Sequence, residues 1–131
     1  MIRRIILAAA TIAALTLPAL ADGDPAEGEK VFKKCRACHE IGDGAKNKVG
    51  PVLNGVIGRT AGTAPDFKYS KAMVEAGEGG LVWSNETIGE YLVKPKDFVP
   101  KNKMAFAGLK KPEDIENVIA YLDQFSEGAS Q

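Results

Sequence analysis

Five consecutive residues, Cys35-Arg36-Ala37-Cys38-His39, constrain this chain more than any other stretch. Two thiols separated by two residues, with a histidine directly after, form the pattern of a c-type haem attachment site. The spacing has a chemical reason. Each thiol can add across one vinyl group of a haem, giving two thioether bonds, and the adjoining histidine can then reach the iron from one face. A tethered haem cannot diffuse away, which suits a small chain with no large core to hold it. Two other uses of the pattern fit less well. A thioredoxin-like redox pair sits near a βαβ unit, and no strand-like alternating run precedes Cys35. A structural zinc site takes about four ligands, whereas the whole sequence holds 2 Cys and 1 His.

Residues 1–21 are set apart from the rest. Arg3-Arg4 form a short basic start, Ile5 to Leu17 are almost wholly apolar, and Ala19-Leu20-Ala21 offers a small-x-small cleavage site. This pattern predicts a secretory signal peptide, since the apolar run is short for a bilayer span. Residues 22–131 then form one domain that works outside the cytoplasm, in the periplasm. A Cys35–Cys38 disulfide is expected there as a transient state before haem is attached. Without Arg3 and Arg4 the chain carries 15 Lys plus Arg against 17 Asp plus Glu, which excludes a nucleic-acid binder by bulk charge.

The local signals are helical. Asp24 as N-cap, Pro25 in the first turn and Glu27 as a partner in a capping-box-like pattern predict a helix from about Pro25 to Lys34. Gly28 is costly inside a helix, by ~1 kcal/mol against Ala, so its presence predicts that another helix crosses close by. Gly42 to Gly62 reads as an irregular loop. Within it, Pro51 keeps a free carbonyl that can accept the second ring N–H of His39. A short helix is expected from Ser70 to Ala76, ended by Gly77, with Met73 facing inward. A third, capped by Ser84 and carrying Ile88, Tyr91 and Leu92, should stop before Pro95. Pro95 to Gly108 reads as a second irregular loop. From Pro112 to about Phe125, the residues Ile115, Val118, Ile119, Leu122 and Phe125 form one apolar stripe of a final helix. Methionine is more often core filler than ligand, but Met104 sits in a Pro- and Gly-bounded loop with no helical stripe to join.

Taken in order, Gly28…Phe32, Cys35–His39, Gly50-Pro51, Arg59, Tyr69, Trp83, Tyr91-Leu92, Pro100-Lys101-Asn102-Lys103-Met104-Ala105-Phe106-Ala107-Gly108 and the final amphipathic helix resemble the class I c-type cytochromes, the bacterial cytochrome c2 and mitochondrial cytochrome c group. The match covers nearly all of residues 22–131, read as a cytochrome c domain. The resemblance implies an all-α fold of three to five helices wrapped around one covalently attached haem c, with the first and last helices crossing. It implies that Cys35 and Cys38 carry the thioethers and that His39 and Met104 are the axial iron ligands. By the same resemblance Pro51 orients His39, while Arg59, Tyr69 and Trp83 serve a haem propionate. Tyr91 sits by the Met104 sulfur and Phe106 screens the haem edge. Met73 and Asn102 depart from the mitochondrial pattern, where a polar Asn and often a Thr stand.

A His/Met pair fills both axial positions and raises the reduction potential. No substrate site then remains on iron, which points to an electron carrier and not an enzyme. The other reading from the residues is a haem sensor or peroxidase-like domain whose Met104 is labile. The resemblance implies membrane partners: a quinol-oxidising cytochrome bc complex as donor, and a terminal oxidase or photosynthetic reaction centre as acceptor. Charge segregation in the chain supports such docking. The segments Lys30–Lys48 and Lys94–Lys111 hold 12 basic and 3 acidic residues. They include Lys30, Lys33, Lys34, Lys48, Lys96, Lys103, Lys110 and Lys111, the expected docking face of a monomer. Lys68 lies outside both segments, so Lys68→Glu is expected to slow association less than Lys34→Glu or Lys103→Glu. Neither nucleic acid nor a small-molecule substrate is expected as a partner.

Overall fold

The computed structural model describes residues 23–126, so the expected leader lies outside the described residues. Among the described residues five helices follow one another: α1 (Pro25–Phe32), α2 (Lys71–Glu78), α3 (Asn85–Val93), α4 (Pro95–Phe98) and α5 (Pro112–Asp123). Among the described residues the only strand-like pairing is an isolated antiparallel bridge between Thr60 and Val82. No helix among them is long and apolar enough to cross a membrane.

α1 begins as expected, with the Asp24 carboxylate accepting from the Ala26 N–H at 2.8 Å. The capping box does not form. The Asp24 N–H that Glu27 was expected to engage donates instead to Asn117 Oδ1 of α5 at 2.8 Å. Glu27 turns outward and pairs with Lys30 at 2.9 Å. A tertiary bond has thus replaced a local one. The helix also ends two residues early, at Phe32, and continues as a series of turns through the cysteines.

The crossing of α1 over α5 organises the fold. A Cβ at Gly28 would lie 1.9 Å from Asn117 O and 2.8 Å from Tyr121 Cβ, so only hydrogen leaves room for this approach. Beside it, the Phe32 and Tyr121 rings meet at 5.3 Å. Phe32 is 1% exposed. The predicted α5 stripe is therefore only part of the buried face. Val118 and Leu122 are buried as expected, while Tyr121 is buried against α1 and Ile115, Ile119 and Phe125 are only half-buried.

Two further boundaries differ from expectation. α2 is capped by Ser70 but runs past Gly77 to Glu78. Gly77 is there for closeness and does not stop the helix, since a Cβ would meet Ala61 O at 1.9 Å. The predicted loop 95–108 starts with α4, whose four residues are too few to show a period of 3.6. Its Phe98 packs on Trp83 and Tyr91, at 6.4 and 6.1 Å between ring centroids. α3 matches its reading, with Ser84 and Thr87 closing a reciprocal capping box and Ile88 and Tyr91 buried.

The crossing makes a paired prediction. Gly28→Ala should lower the unfolding free energy by about 1–3 kcal/mol through overpacking. Gly89→Ala, where the new Cβ meets Ile119 at an ordinary 3.6 Å, should raise it by roughly 0.5–1 kcal/mol. Guanidinium unfolding of both variants measures this, and equal effects would show that the crossing makes no demand for glycine.

Candidate functional site

The turns after α1 carry the two cysteines into the interior. Cys35 N–H donates to Phe32 O at 2.8 Å and His39 N–H to Cys35 O at 2.9 Å. Cys35 and Cys38 are half-buried free thiols. Burial, with Cys38 adding to it, pushes the Cys35 thiol up to about 11. His39 Nδ1 lies 2.7 Å from Pro51 O. A carbonyl can only accept, so Nδ1 holds the proton and the Nε2 lone pair is left for another partner. Burial lowers the pKa of the ring, with Arg59 adding to the effect and the bond to Pro51 opposing it. Gly50 makes this geometry possible. Its N–H donates to Cys38 O at 2.8 Å, and a Cβ on it would stand 2.4 Å from His39 Cε1.

Met104 comes from the other irregular stretch. The Tyr91 hydroxyl donates to its sulfur at 3.7 Å. Burial pushes the Tyr91 phenol up to about 12, so it stays a donor at neutral pH. The Tyr91 ring is itself set against Trp83, 4.9 Å between centroids. One thioether lone pair of Met104 therefore remains for a soft metal ion.

One cavity of about 230 Å³ joins these parts. Cys35, Cys38, His39, Pro51, Arg59, Tyr69, Trp83, Tyr91, Met104 and Phe106 all line it, so the structure brings together every site residue that the sequence singled out. Imidazole nitrogen, thioether sulfur and two thiols in a mostly apolar cavity are the donor set that a c-type haem requires, and the residues fit that group. Among the described residues no group of three or more His, Cys, Asp or Glu could hold a metal ion.

Arg59, Tyr69 and Trp83, expected to serve a propionate, line the cavity with contacts of their own. Arg59 is directed to backbone, with Nη2 donating to Val52 O at 3.3 Å and Nη1 to Asn54 O at 3.4 Å. Burial lowers its pKa, and its cation keeps further N–H groups. The Tyr69 hydroxyl accepts from the Ala64 N–H at 2.9 Å and still has its own proton to give. Trp83 makes its ring contacts with Tyr91 and Phe98. Met73, expected as core, is 9% exposed and lines the same cavity. Sequence reasoning missed Phe67 and Val118 as lining residues and noted Asn102 only as a departure bearing on pocket contacts. For Asn102 the available signal was a polar residue two places before the loop methionine.

All eight lysines of the expected docking face are exposed, and Lys34 and Lys103 reach the cavity. Their charges are not equally free. Lys30 is paired with Glu27, which raises its pKa, and Lys48 donates to Arg36 O at 3.0 Å. The Lys103 ammonium donates to Lys68 O and stands 5.1 Å from the Phe67 ring centre. Lys68, expected to stand apart from the docking face, thus borders its Lys103 end, because the fold brings the two residues together.

The family model described as Cytochrome c matches residues 25–126. Among curated proteins, cytochrome c2 of Afifella marina is 60% identical over 100 residues, covering 76% of this chain and 81% of that protein. Cytochrome c2 of Blastochloris viridis is 45% identical over 129 residues, 98% of each. Among solved structures, cytochrome c2 from Rhodospirillum centenum superposes with a TM-score of 0.76 at 49% identity, covering 79% of this chain and 99% of that one.

The closeness of Gly50 to the imidazole yields a prediction. Gly50→Ala should displace His39 from Pro51 and cost about 1–3 kcal/mol of stability. Guanidinium unfolding reads the second effect and the ring-proton shifts of His39 in NMR read the first. Unchanged shifts would show that the loop yields in place of the ring.

Proposed function

The chain belongs to the cytochrome c family, and from that premise we propose that it is a soluble, monomeric periplasmic shuttle carrying single electrons from a membrane quinol-oxidising cytochrome bc complex to a terminal oxidase or photosynthetic reaction centre. As a member of the family it carries one covalently attached haem c, is an electron-transfer protein and not an enzyme, and works with redox partner complexes. When bound, the haem supplies a one-electron iron couple. In this reading residues 1–21 direct export and residues 22–131 form the working domain.

One observation carries the proposal: His39 and Met104 line the same cavity as Cys35 and Cys38, each held by a neighbour that leaves its ligating lone pair free. Cys35 and Cys38 hold the thioethers. His39 through Nε2 and Met104 through sulfur would hold the iron. Pro51 holds the imidazole in one tautomer, and Tyr91 holds the sulfur. Arg59, Tyr69 and Trp83 offer hydrogen bonds to a propionate, and Phe106 keeps water from the haem edge. Both protein ligands would come from the chain, which would let the iron couple work without ligand exchange. A rigid pair of ligands keeps the structural change between oxidation states small.

Carbon monoxide tests the reading. The reduced protein should bind it slowly and weakly at neutral pH, whereas fast, tight binding would indicate an open iron position and a sensor or peroxidase-like role. Met104→Ala should keep covalent haem, open the iron and lower the reduction potential by on the order of 100 mV, where 59 mV is tenfold for one electron. An unchanged potential would show that Met104 is not a ligand.

Docking is read from the lysines. A basic face steers an acidic partner and raises encounter rates by ~10 to 10³-fold at low salt. Electron-transfer rates with a bc complex or oxidase should therefore fall as salt rises, because the Debye length is only ~8 Å at physiological ionic strength. Lys34→Glu and Lys103→Glu should each slow association several-fold. Lys71→Glu, at a residue already paired with Glu75 at 3.6 Å, should matter less. Stopped-flow rates across a salt series measure this, and salt-independent rates or an equal loss at Lys71 would remove the docking assignment.

A further inference from the structure

Asn102 is the one buried polar or charged residue among the described residues, at 3% exposed. Its side chain is fully engaged, and in two directions. Nδ2 donates to Pro95 O at 2.9 Å and to Val99 O at 2.8 Å. Oδ1 accepts the N–H of Met104 at 2.8 Å. Reversing the amide would set oxygen against two carbonyls and nitrogen against an N–H, so the partners determine its orientation. The backbone of Asn102 adds two ties to the same region: its N–H donates to Val99 O at 3.2 Å, and its carbonyl accepts from the Lys96 ammonium.

The two ends of this link differ in firmness. The α4 end is anchored, with Pro95 fully buried, Val99 4% exposed and Phe98 against Trp83 and Tyr91. The Met104 end is not. The backbone is tied to other backbone at Asn102 N–H and next at Leu109 N–H, which donates to Leu92 O at 2.7 Å. Between them, the described residues 103–108 make no backbone–backbone hydrogen bond. The Asn102 amide supplies the tie there. The turn leading in holds Lys101 at φ +67°, a left-handed conformation that costs a side-chain-bearing residue and needs support from its surroundings.

We propose that Asn102 is the positioning residue of the axial methionine: it fastens the Met104 backbone to α4 and thereby sets how firmly the sulfur stays on iron. Tyr91 holds the sulfur and Asn102 holds the main chain, so the ligand is constrained at both ends. The inference rests on the reading of Met104 as an iron ligand.

The test uses haem-loaded protein, unaltered and as Asn102→Ala and Asn102→Thr. Three quantities are read: the affinity of the ferric form for imidazole, which must displace Met104; the near-infrared sulfur-to-iron charge-transfer band; and guanidinium unfolding. Loss of a buried hydrogen bond on the scale of a typical one predicts imidazole binding about tenfold tighter in Asn102→Ala, with a weakened band. A threonine hydroxyl can accept from an N–H two residues on, so Asn102→Thr should recover most of the unaltered affinity. Lower stability in both variants with unchanged imidazole affinity and band would overturn the proposal and leave Asn102 a purely structural residue. Should Asn102→Ala not take up haem, amide hydrogen exchange of the unaltered protein decides: Met104 N–H should exchange at least tenfold more slowly than Lys103 and Ala105 N–H, and equal rates would overturn the proposal. Absence of the sulfur band in the unaltered protein would instead overturn the ligand reading itself, and this proposal with it.

Discussion

The approach of α1 to α5 at Gly28 is the contact on which the rest of the structure depends. It brings the backbone of one helix against the backbone of the other, a distance that any side chain at Gly28 would prevent. Phe32 then meets Tyr121, and Val118 and Leu122 of α5 are free to line the cavity behind the cysteines. The same crossing supplies Asn117 to the exposed start of α1. A chain this size has little interior to spare, and its helices surround a cavity as much as they fill a core. Covalent attachment of the haem, proposed at Cys35 and Cys38, would suit that economy, because the haem itself would complete the apolar interior.

The two walls of the cavity solve one problem by different means. In the proposed reading each would present a single lone pair inward from irregular backbone. On one side a tight loop through Gly50 and Pro51 presses on the imidazole and accepts its Nδ1 proton. On the other, a buried cluster of Trp83, Tyr91 and Phe98 carries α4, and the Met104 segment hangs from that cluster by a hydroxyl and an amide. The histidine wall is short and local in sequence. The methionine wall is assembled from three elements, so under the proposed ligation it is the side where ligand strength could be tuned without touching Cys35 and Cys38. The lysines around the cavity are long and exposed, and several are engaged by carbonyls or acidic neighbours, so the field they present is set by geometry as well as by count.

Much was legible in the residues alone. The motif at Cys35–His39 named the cofactor chemistry because two vinyl additions and one axial ligand demand that spacing. Pro51 could be read as the partner of His39 because proline offers a carbonyl without an N–H. Ser70, Ser84 and Pro112 marked helix starts because capping is a local matter. Gly28 announced a crossing because a helix does not otherwise tolerate glycine cheaply.

What only the tertiary structure decided involves partners distant in the chain. Asp24 gave its N–H to Asn117 in place of Glu27, since the helix crossing sets an acceptor from 93 residues away 2.8 Å from it. Gly77 looked like a stop and was a point of close approach to Ala61, since composition cannot tell a flexible glycine from a crowded one. α4 was invisible because four residues show no period, yet its packing makes it the anchor of the methionine segment. Asn102 looked like a minor departure from a family pattern. Only the folded chain, by burying it and turning its amide between Pro95, Val99 and Met104, gave it a role, because hydrogen bonds of this kind depend on positions in space that spacing in sequence does not encode.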